Sequence, residues 1–281
     1  PIKRLALEYS CPDWLVKMWI AQYGYQQAQE NARATVHPLP TYVRRNPMKI
    51  SEKEFLCDQR MQTTQYGVYA YTGDAVAKNP LYLEGKMSIQ DAGSYRVSCW
   101  MDAGPGETIL DCCAAPGTKT FAMAEAMMDQ GHIDSLDLHK HRVRLIQNDC
   151  RRLNIHCVHP MVKDATDLSG LGLYDKVLCD VPCSGYGVLS GKPDIKLHMC
   201  SSDMDHLIPL QQRILTHAAQ HVKSDGMIVY STCTLNKKEN EKQVEQFIRN
   251  FPEFELMKME TLFPNDKTDG FFMALMKKHK S

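Results

Sequence analysis

Two cysteines, Cys183 in Asp180-Val181-Pro182-Cys183-Ser184-Gly185 and Cys233 in Tyr230-Ser231-Thr232-Cys233-Thr234, each follow an apolar run that reads as a strand. A thiol just past a strand end can act as a covalent nucleophile once a base or a local positive charge ionises it, its free pKa being about 8.5. Taken singly, either cysteine is more often inert packing. The balance shifts with a third segment, Ile109-Leu110-Asp111-Cys112-Cys113-Ala114-Ala115-Pro116-Gly117-Thr118-Lys119-Thr120, an apolar strand running into small residues and then a helix. Small side chains let backbone approach a ligand, and the carboxyl end of the first strand of a parallel sheet is where nucleotide-type cofactors sit. The segment has neither the spaced glycines of a dinucleotide fingerprint nor the Gly-Lys-Ser/Thr order of a phosphate loop. With Asp180 close to Cys183, these residues point to covalent chemistry beside a bound cofactor. Which cysteine attacks stays open at this point.

Acids mark the same rim. Asp111 ends the first strand, Asp137 the second and Asp180 the fourth, while Asp164 follows the third. In such sheets an acid after the second strand commonly accepts from ribose hydroxyls, which assigns that role to Asp137. Asp164 is within reach of an adenine amino group.

The elements needed to hold these groups are legible as alternation. Strands are predicted at Thr108 to Cys113, Ile133 to Leu138, His156 to Val162, Asp175 to Val181 and Met227 to Thr232. Helical segments lie between them; the longest, Leu207 to Val222, carries an apolar face. Phe254 to Met259 and Gly270 to Met276 are suited to an edge hairpin. Strand and helix in alternation imply an open, mostly parallel sheet. Before Asp102 to Glu107, where Gly104, Pro105 and Gly106 break the pattern, the chain has another character. It offers an amphipathic helix over Asp13 to Asn31 packed on a small domain and a strand at Thr41 to Asn46. A capping box of Ser51 with Glu54 follows, then strands at Gln65 to Tyr71 and Leu81 to Glu84, and a helix from Gln90 to Met101. The expected division is a small α+β module over 1–103 and a second, cofactor-binding domain over 104–281.

Composition narrows the class. With 281 residues and 43% hydrophobic content the chain can bury a sizeable core. Basic and acidic residues balance at 33 each, so no global field marks a nucleic-acid binder, although residues 1–100 hold 12 basic against 9 acidic. Eleven cysteines without a secretory segment suggest reduced thiols in the cytosol, and no stretch approaches the ~20 apolar residues of a membrane span. Paired CxxC knuckles are missing, so no metal is expected.

Taken together, these strings resemble the Sun (Fmu) family of RNA cytosine-5 methyltransferases, most closely the bacterial ribosomal RNA small subunit methyltransferase B type. The resemblance spans nearly the whole chain. It takes in Pro12-Asp13-Trp14-Leu15-Val16-Lys17, Arg45-Asn46, Ile89-Gln90-Asp91-Ala92, Cys113 to Lys119, Pro182 to Gly185, Pro193-Asp194-Ile195-Lys196, Ser231-Thr232-Cys233, Glu239-Asn240 and Asp269-Gly270-Phe271-Phe272. It implies an α/β fold: a Rossmann-like class I methyltransferase sheet with a small N-terminal α+β domain. It implies S-adenosylmethionine as cofactor, bound by Cys113, Ala114, Ala115, Pro116, Gly117, Thr118, Lys119, Asp137, Asp164 and Asp180. It implies Cys233 as nucleophile, Cys183 as the residue that helps release product, and Asp180 and Lys119 as further catalytic groups. The partner would be RNA, ribosomal or alternatively transfer RNA, bound in part by the 1–103 module as an RNA-binding module through Lys and Arg including Arg44 and Arg45, and met by a cytosolic monomer without a membrane. Two positions depart from the family: Thr118 replaces a second glycine, and Ser190-Gly191-Lys192 replaces an arginine pair before Pro193. Members of this type usually carry a helical NusB-like domain ahead of the matched segment, which implies a piece of a longer protein or a shortened relative.

Three other readings compete. A DNA cytosine methyltransferase would attack with Cys183, but the long target-recognition insertion is missing. An amino-group methyltransferase would prefer an Asp/Asn-Pro-Pro-aromatic loop. A non-catalytic RNA-binding or assembly protein on the same fold would not need all the catalytic-type residues that are present.

Overall fold

The computed structural model describes residues 2–280. Its larger sheet is built from β5 (Thr108–Asp111), β6 (His132–Asp137), β7 (Val158–Val162), β8 (Tyr174–Asp180), β9 (Val222–Thr232), β10 (Phe254–Leu262) and β11 (Phe271–Lys278), in the order β10-β11-β9-β8-β5-β6-β7. The pairs β5–β6, β6–β7, β5–β8 and β8–β9 are parallel, so the carboxyl ends of five strands share one edge. β10 and β11 form the expected antiparallel edge hairpin, with β11 also antiparallel to β9. The chain builds outward from β5 to β7, then returns to β8 on the other side of β5. That reversal opens a crevice between β5 and β8, the position where ligands bind in open α/β sheets.

Helices α7 (Thr118–Ala126), α8 (Lys140–Leu153), α9 (Ile195–His198), α10 (Met204–Gln220) and α11 (Glu241–Asn250) complete this half. Ile214, Leu215, Ala218 and Ala219 of α10 join Val177, Tyr230 and Phe272 in the core on one face. Phe121, Met123 and Ala124 of α7 pack with Ile109, Leu178 and Val229 on the other.

The first half carries α1 (Ile2–Glu8), α2 (Asp13–Tyr23), α3 (Tyr25–Ala34), α4 (Glu52–Phe55), α5 (Pro80–Leu83) and α6 (Ala92–Trp100), with a four-stranded antiparallel sheet in the order β2-β3-β1-β4. Its strands are β1 (Thr41–Arg45), β2 (Met61–Thr63), β3 (Tyr69–Tyr71) and β4 (Met87–Ile89). The capping box at Ser51 and Glu54 forms as predicted.

Several expectations need correction here. The single helix over Asp13 to Asn31 is two helices, broken at Gly24, whose φ of +85° is a left-handed value glycine tolerates. These helices pack on the larger sheet's loops: Leu15, Val16 and Trp19 cluster with Tyr186, Leu189 and Leu235. The strand expected at Leu81 to Glu84 is helix α5, begun by Asn79, whose side chain accepts from the Leu81 amide, and by Pro80 at the first helical position. The strand expected over Gln65 to Tyr71 shortens to β3, because Thr64 Oγ1 bonds the Val68 carbonyl and closes a turn.

Among the described residues no helix is long and apolar enough to cross a membrane, and no group of three or more His, Cys, Asp or Glu could hold a metal.

Candidate active site

The loop after β5 is set by neighbouring strands. The Cys112 amide donates to the Leu178 carbonyl at 2.9 Å and the Ala114 amide to the Leu136 carbonyl at 2.7 Å, so the loop leaves the sheet edge between β8 and β6. Gly117, at φ +107°, turns it into α7; a Cβ there would lie 2.7 Å from the Phe121 ring, so no other residue fits without displacement. Thr118 opens the helix. Cys113 is half-buried, and burial pushes its thiol well above the usual range, reinforced by Cys112 and Asp111.

Asp111 is buried beneath this loop. Its Oδ2 accepts from Thr120 Oγ1 at 2.7 Å, while its Oδ1 has no partner. Burial, with Asp180 adding to it, raises the carboxyl to about 7. Asp137 is buried too: Oδ1 accepts the His139 amide at 3.0 Å and Oδ2 meets Arg142 Nη1 at 3.1 Å. Arg142 also donates to the Ala115 carbonyl at 2.7 Å, tying the end of β6 to the loop after β5. Asp164 is exposed at the rim, where the Thr166 amide and hydroxyl each donate to Oδ1 at 2.8 Å and hold its pKa below the usual range.

Across the crevice, Lys119 Nζ lies 2.8 Å from Asp180 Oδ2, and Ser231 Oγ donates to Asp180 Oδ1 at 2.7 Å. Desolvation draws the Lys119 pKa down, but the charge and hydrogen bond of Asp180, with further help from Asp91 and Cys233, leave it raised. The ammonium stays charged. Its Nζ is also 5.4 Å from the centre of the Phe271 ring.

Both predicted thiols reach this point. Cys183 Sγ and Cys233 Sγ are 3.3 Å apart. The contact with Cys233 is the largest influence on Cys183, followed by burial and by the charges of Cys233 and Glu239, and all raise its pKa well above the ordinary thiol value. Cys183 is therefore a protonated thiol at neutral pH. Gly187 keeps the loops together: its amide donates to the Cys233 carbonyl at 3.0 Å, and a Cβ there would meet the Gly270 carbonyl oxygen at 2.2 Å. An open groove of about 420 Å³ adjoins Cys183, lined also by Tyr186, His198, Met199 and Leu207.

The structure thus gathers Cys113 to Lys119, Asp137, Asp180, Cys183 and Cys233 around one crevice, with Asp164 on its outer rim. It removes Arg44 from the RNA-contacting set. Arg44 is buried, its Nε and Nη2 donate to the two Glu125 oxygens at 2.9 Å each, and its Nη1 reaches Gln90 and the Thr118 carbonyl. Such a bidentate pair clamps the small sheet to α7. Arg45 is half-buried and donates to the Ile50 carbonyl at 2.7 Å. Sequence reasoning missed Arg142, whose only signal was a cation five residues after a strand-end acid. It singled out Asp269 without a role; the structure shows its Oδ1 buried without a partner and its carboxyl raised by burial to about 7, with Asp91 adding to the effect.

A Rossmann-like sheet with a small-residue loop, strand-end carboxylates and strand-end side chains poised over its switch point defines a methyltransferase of the class I architecture. Residues 98–277 match the family described as 16S rRNA methyltransferase RsmB/F, and residues 11–90 match the RsmF/B-like ferredoxin-like domain. The chain belongs to the RsmB/F family of 16S rRNA methyltransferases. It is 35% identical over 310 residues to the probable ribosomal RNA small subunit methyltransferase B of Bacillus subtilis (strain 168), covering 99% of this chain and 68% of that relative. The Synechocystis protein of the same description is 34% identical, with coverages of 98% and 68%. Among solved structures, a methyltransferase homolog protein from Pyrococcus horikoshii superposes with a TM-score of 0.88 at 26% identity, over 99% of this chain and 98% of that one. NSun6 from the same organism, solved with SFG, shares the fold at a TM-score of 0.88 and 20% identity, over 96% and 99% of the two chains.

Proposed function

We propose that this protein transfers a methyl group from S-adenosylmethionine to carbon 5 of a cytosine in RNA, 16S ribosomal RNA, through a covalent adduct on Cys233. The observation that carries the reading is the pair of thiols 3.3 Å apart beside the Lys119–Asp180 ion pair, at the mouth of a cofactor crevice. In this reading the protein works in the cytosol as a monomer.

Three features support the cofactor. Cys113, Ala114, Ala115 and Gly117 bring only small side chains to the loop after β5, Asp111 Oδ1 is a buried acceptor without a donor, and Asp137 uses two of its roughly four lone-pair sites, leaving others for ribose hydroxyls. S-Adenosylmethionine supplies an electrophilic methyl group on a sulfonium.

Carbon 5 of cytosine is a poor nucleophile, so the chain must first activate the ring. The Cys233 thiolate adds to carbon 6, forming the S–C6 bond and moving the C5=C6 electron pair into the ring as an enamine. Carbon 5 then takes the methyl group. A base removes the proton from carbon 5, its electron pair restores the double bond, and the thiolate of Cys233 departs. Cys183, held within van der Waals reach of the attacking sulfur, assists this release. In this reading Lys119 and Asp180 steady the charge that grows on the ring.

Incubating the protein with unmodified 16S RNA and methyl-labelled S-adenosylmethionine, then mapping 5-methylcytosine by bisulfite sequencing, tests the reading. Label at carbon 5 of one or a few cytosines is expected. Label on another atom, or none with cofactor bound, overturns it.

A further inference from the structure

Cys183 and Cys233 sit on separate loops, and each loop is gripped on both sides of its thiol: the first by Glu239 together with Gln211, the second by Asn240 alone. Pro182 and Ser184 flank Cys183. The Pro182 carbonyl accepts from Gln211 Nε2 at 2.9 Å; the same nitrogen donates to Glu239 Oε1 at 3.0 Å. Glu239 Oε1 also accepts the Ser184 amide at 3.0 Å, and its Oε2 accepts the Ser184 hydroxyl at 2.6 Å and Asn236 Nδ2 at 3.0 Å. Thr232 and Thr234 flank Cys233. The Thr232 hydroxyl donates to Asn240 Oδ1 at 2.6 Å, and Asn240 Nδ2 donates to the Thr234 carbonyl at 2.8 Å. Gln211, Glu239 and Asn240 are fully buried.

Neither residue is explained by packing alone. Burying a carboxyl group costs free energy that an apolar side chain of like volume avoids, and Glu239 offsets it with four donors, two of them on the Cys183 loop. Asn240 is the N-cap of α11, a position where asparagine ordinarily bonds the first free amides of the helix, yet its side chain makes no capping bond. Both of its polar groups serve the Cys233 loop instead. The loops are joined directly by the Ser184 and Thr234 hydroxyls at 2.6 Å, but each thiol's flanking backbone has its own holder.

We propose that Glu239, acting with Gln211, and Asn240 are positioning residues that separately set the two thiols: Glu239 places Cys183 and Asn240 places Cys233. Adjacent in sequence at the start of one helix, they let a single rigid element fix the spacing between the attacking and releasing groups. The division into attack and release rests on the proposed function; the assignment of each holder to its thiol does not.

The test therefore has two readouts. The first is the alkylation rate of each cysteine by iodoacetamide, followed by peptide mass spectrometry on the full chain without RNA. Glu239→Gln and, as a milder second variant, Gln211→Met are expected to change labelling of Cys183 by about tenfold and leave Cys233 near its wild-type rate. Asn240→Asp and Thr232→Val are expected to do the reverse. The second readout is the covalent RNA adduct. Here Glu239→Gln should reproduce the phenotype of Cys183→Ala, and Asn240→Asp that of Cys233→Ala, with rates of the affected step changed by about ten- to a hundredfold. If the cysteine variants exchange their expected phenotypes, the proposed roles in attack and release fail while the positioning assignment stands. If all four holder variants alter both thiols alike, or lower the melting temperature without altering either, the positioning assignment is overturned.

Discussion

The sulfurs of Cys183 and Cys233 lie 3.3 Å apart although 50 positions separate them in the chain. They arrive from adjacent parallel strands: β8 ends at Asp180, β9 at Thr232, and Asp180 pairs in register with Ser231. Two thiols at this distance cannot both be ionised without strong repulsion, and the contact with Cys233 together with burial pushes the Cys183 thiol well above its ordinary value.

The cofactor crevice yields a first prediction. Arg142 joins Asp137 to the Ala115 carbonyl, so removing it frees both the acid proposed to bind ribose and the loop. Arg142→Ala and Asp137→Ala are each expected to weaken S-adenosylmethionine binding by about tenfold, the loss of roughly one charge-assisted hydrogen bond. Because they share one network, the double variant should lose less than the sum. Calorimetry showing wild-type affinity in folded Asp137→Ala would remove the ribose assignment.

Arg44 gives the second. Truncation would leave Glu125 as an uncompensated buried acid, so Arg44→Ala should lower unfolding free energy in urea by about 3 to 5 kcal/mol. The slope of RNA affinity against salt should stay unchanged, since the side chain does not reach a phosphate. A shallower salt slope with unaltered stability would restore Arg44 to the RNA surface.

Asp111 gives the third, through pH. In the unfolded chain its carboxyl ionises near 3.8, whereas in the native state it keeps its proton to about 7. Between those values the native state binds more protons, so this group lowers stability as pH rises and exerts its full penalty above about pH 7. Asp111→Asn has no such titration. Its stability relative to wild type should rise between pH 4 and pH 8 by up to roughly 4 kcal/mol. A difference that does not vary with pH, measured by urea unfolding, would show that Asp111 is ionised in the native protein.

These cases show what the sequence carries and what it does not. Strand-and-helix alternation, the small-residue loop and the strand-end positions of Asp111, Asp137, Asp180, Cys183 and Cys233 depend on local order along the chain and were legible. The helix at Pro80–Leu83 was misread as a strand: Asn79 before Pro80 carries the helix start, but the apolar Leu81 and Leu83 mimic strand alternation. Arg44 was not legible. Its partner lies 81 residues away, and a count of charges cannot tell a buried clamp from a solvated surface. The same holds for Gln211, whose contact with the Pro182 carbonyl exists only once α10 packs across the sheet.

The central claim, that Cys233 attacks and Cys183 releases, is tested most directly by denaturing electrophoresis of the protein after incubation with substrate RNA and S-adenosylmethionine. Cys183→Ala is expected to accumulate a covalent protein–RNA adduct that survives denaturation, and Cys233→Ala to form none. An adduct that persists without Cys233 and disappears without Cys183 would contradict the account and transfer the nucleophile's role to Cys183.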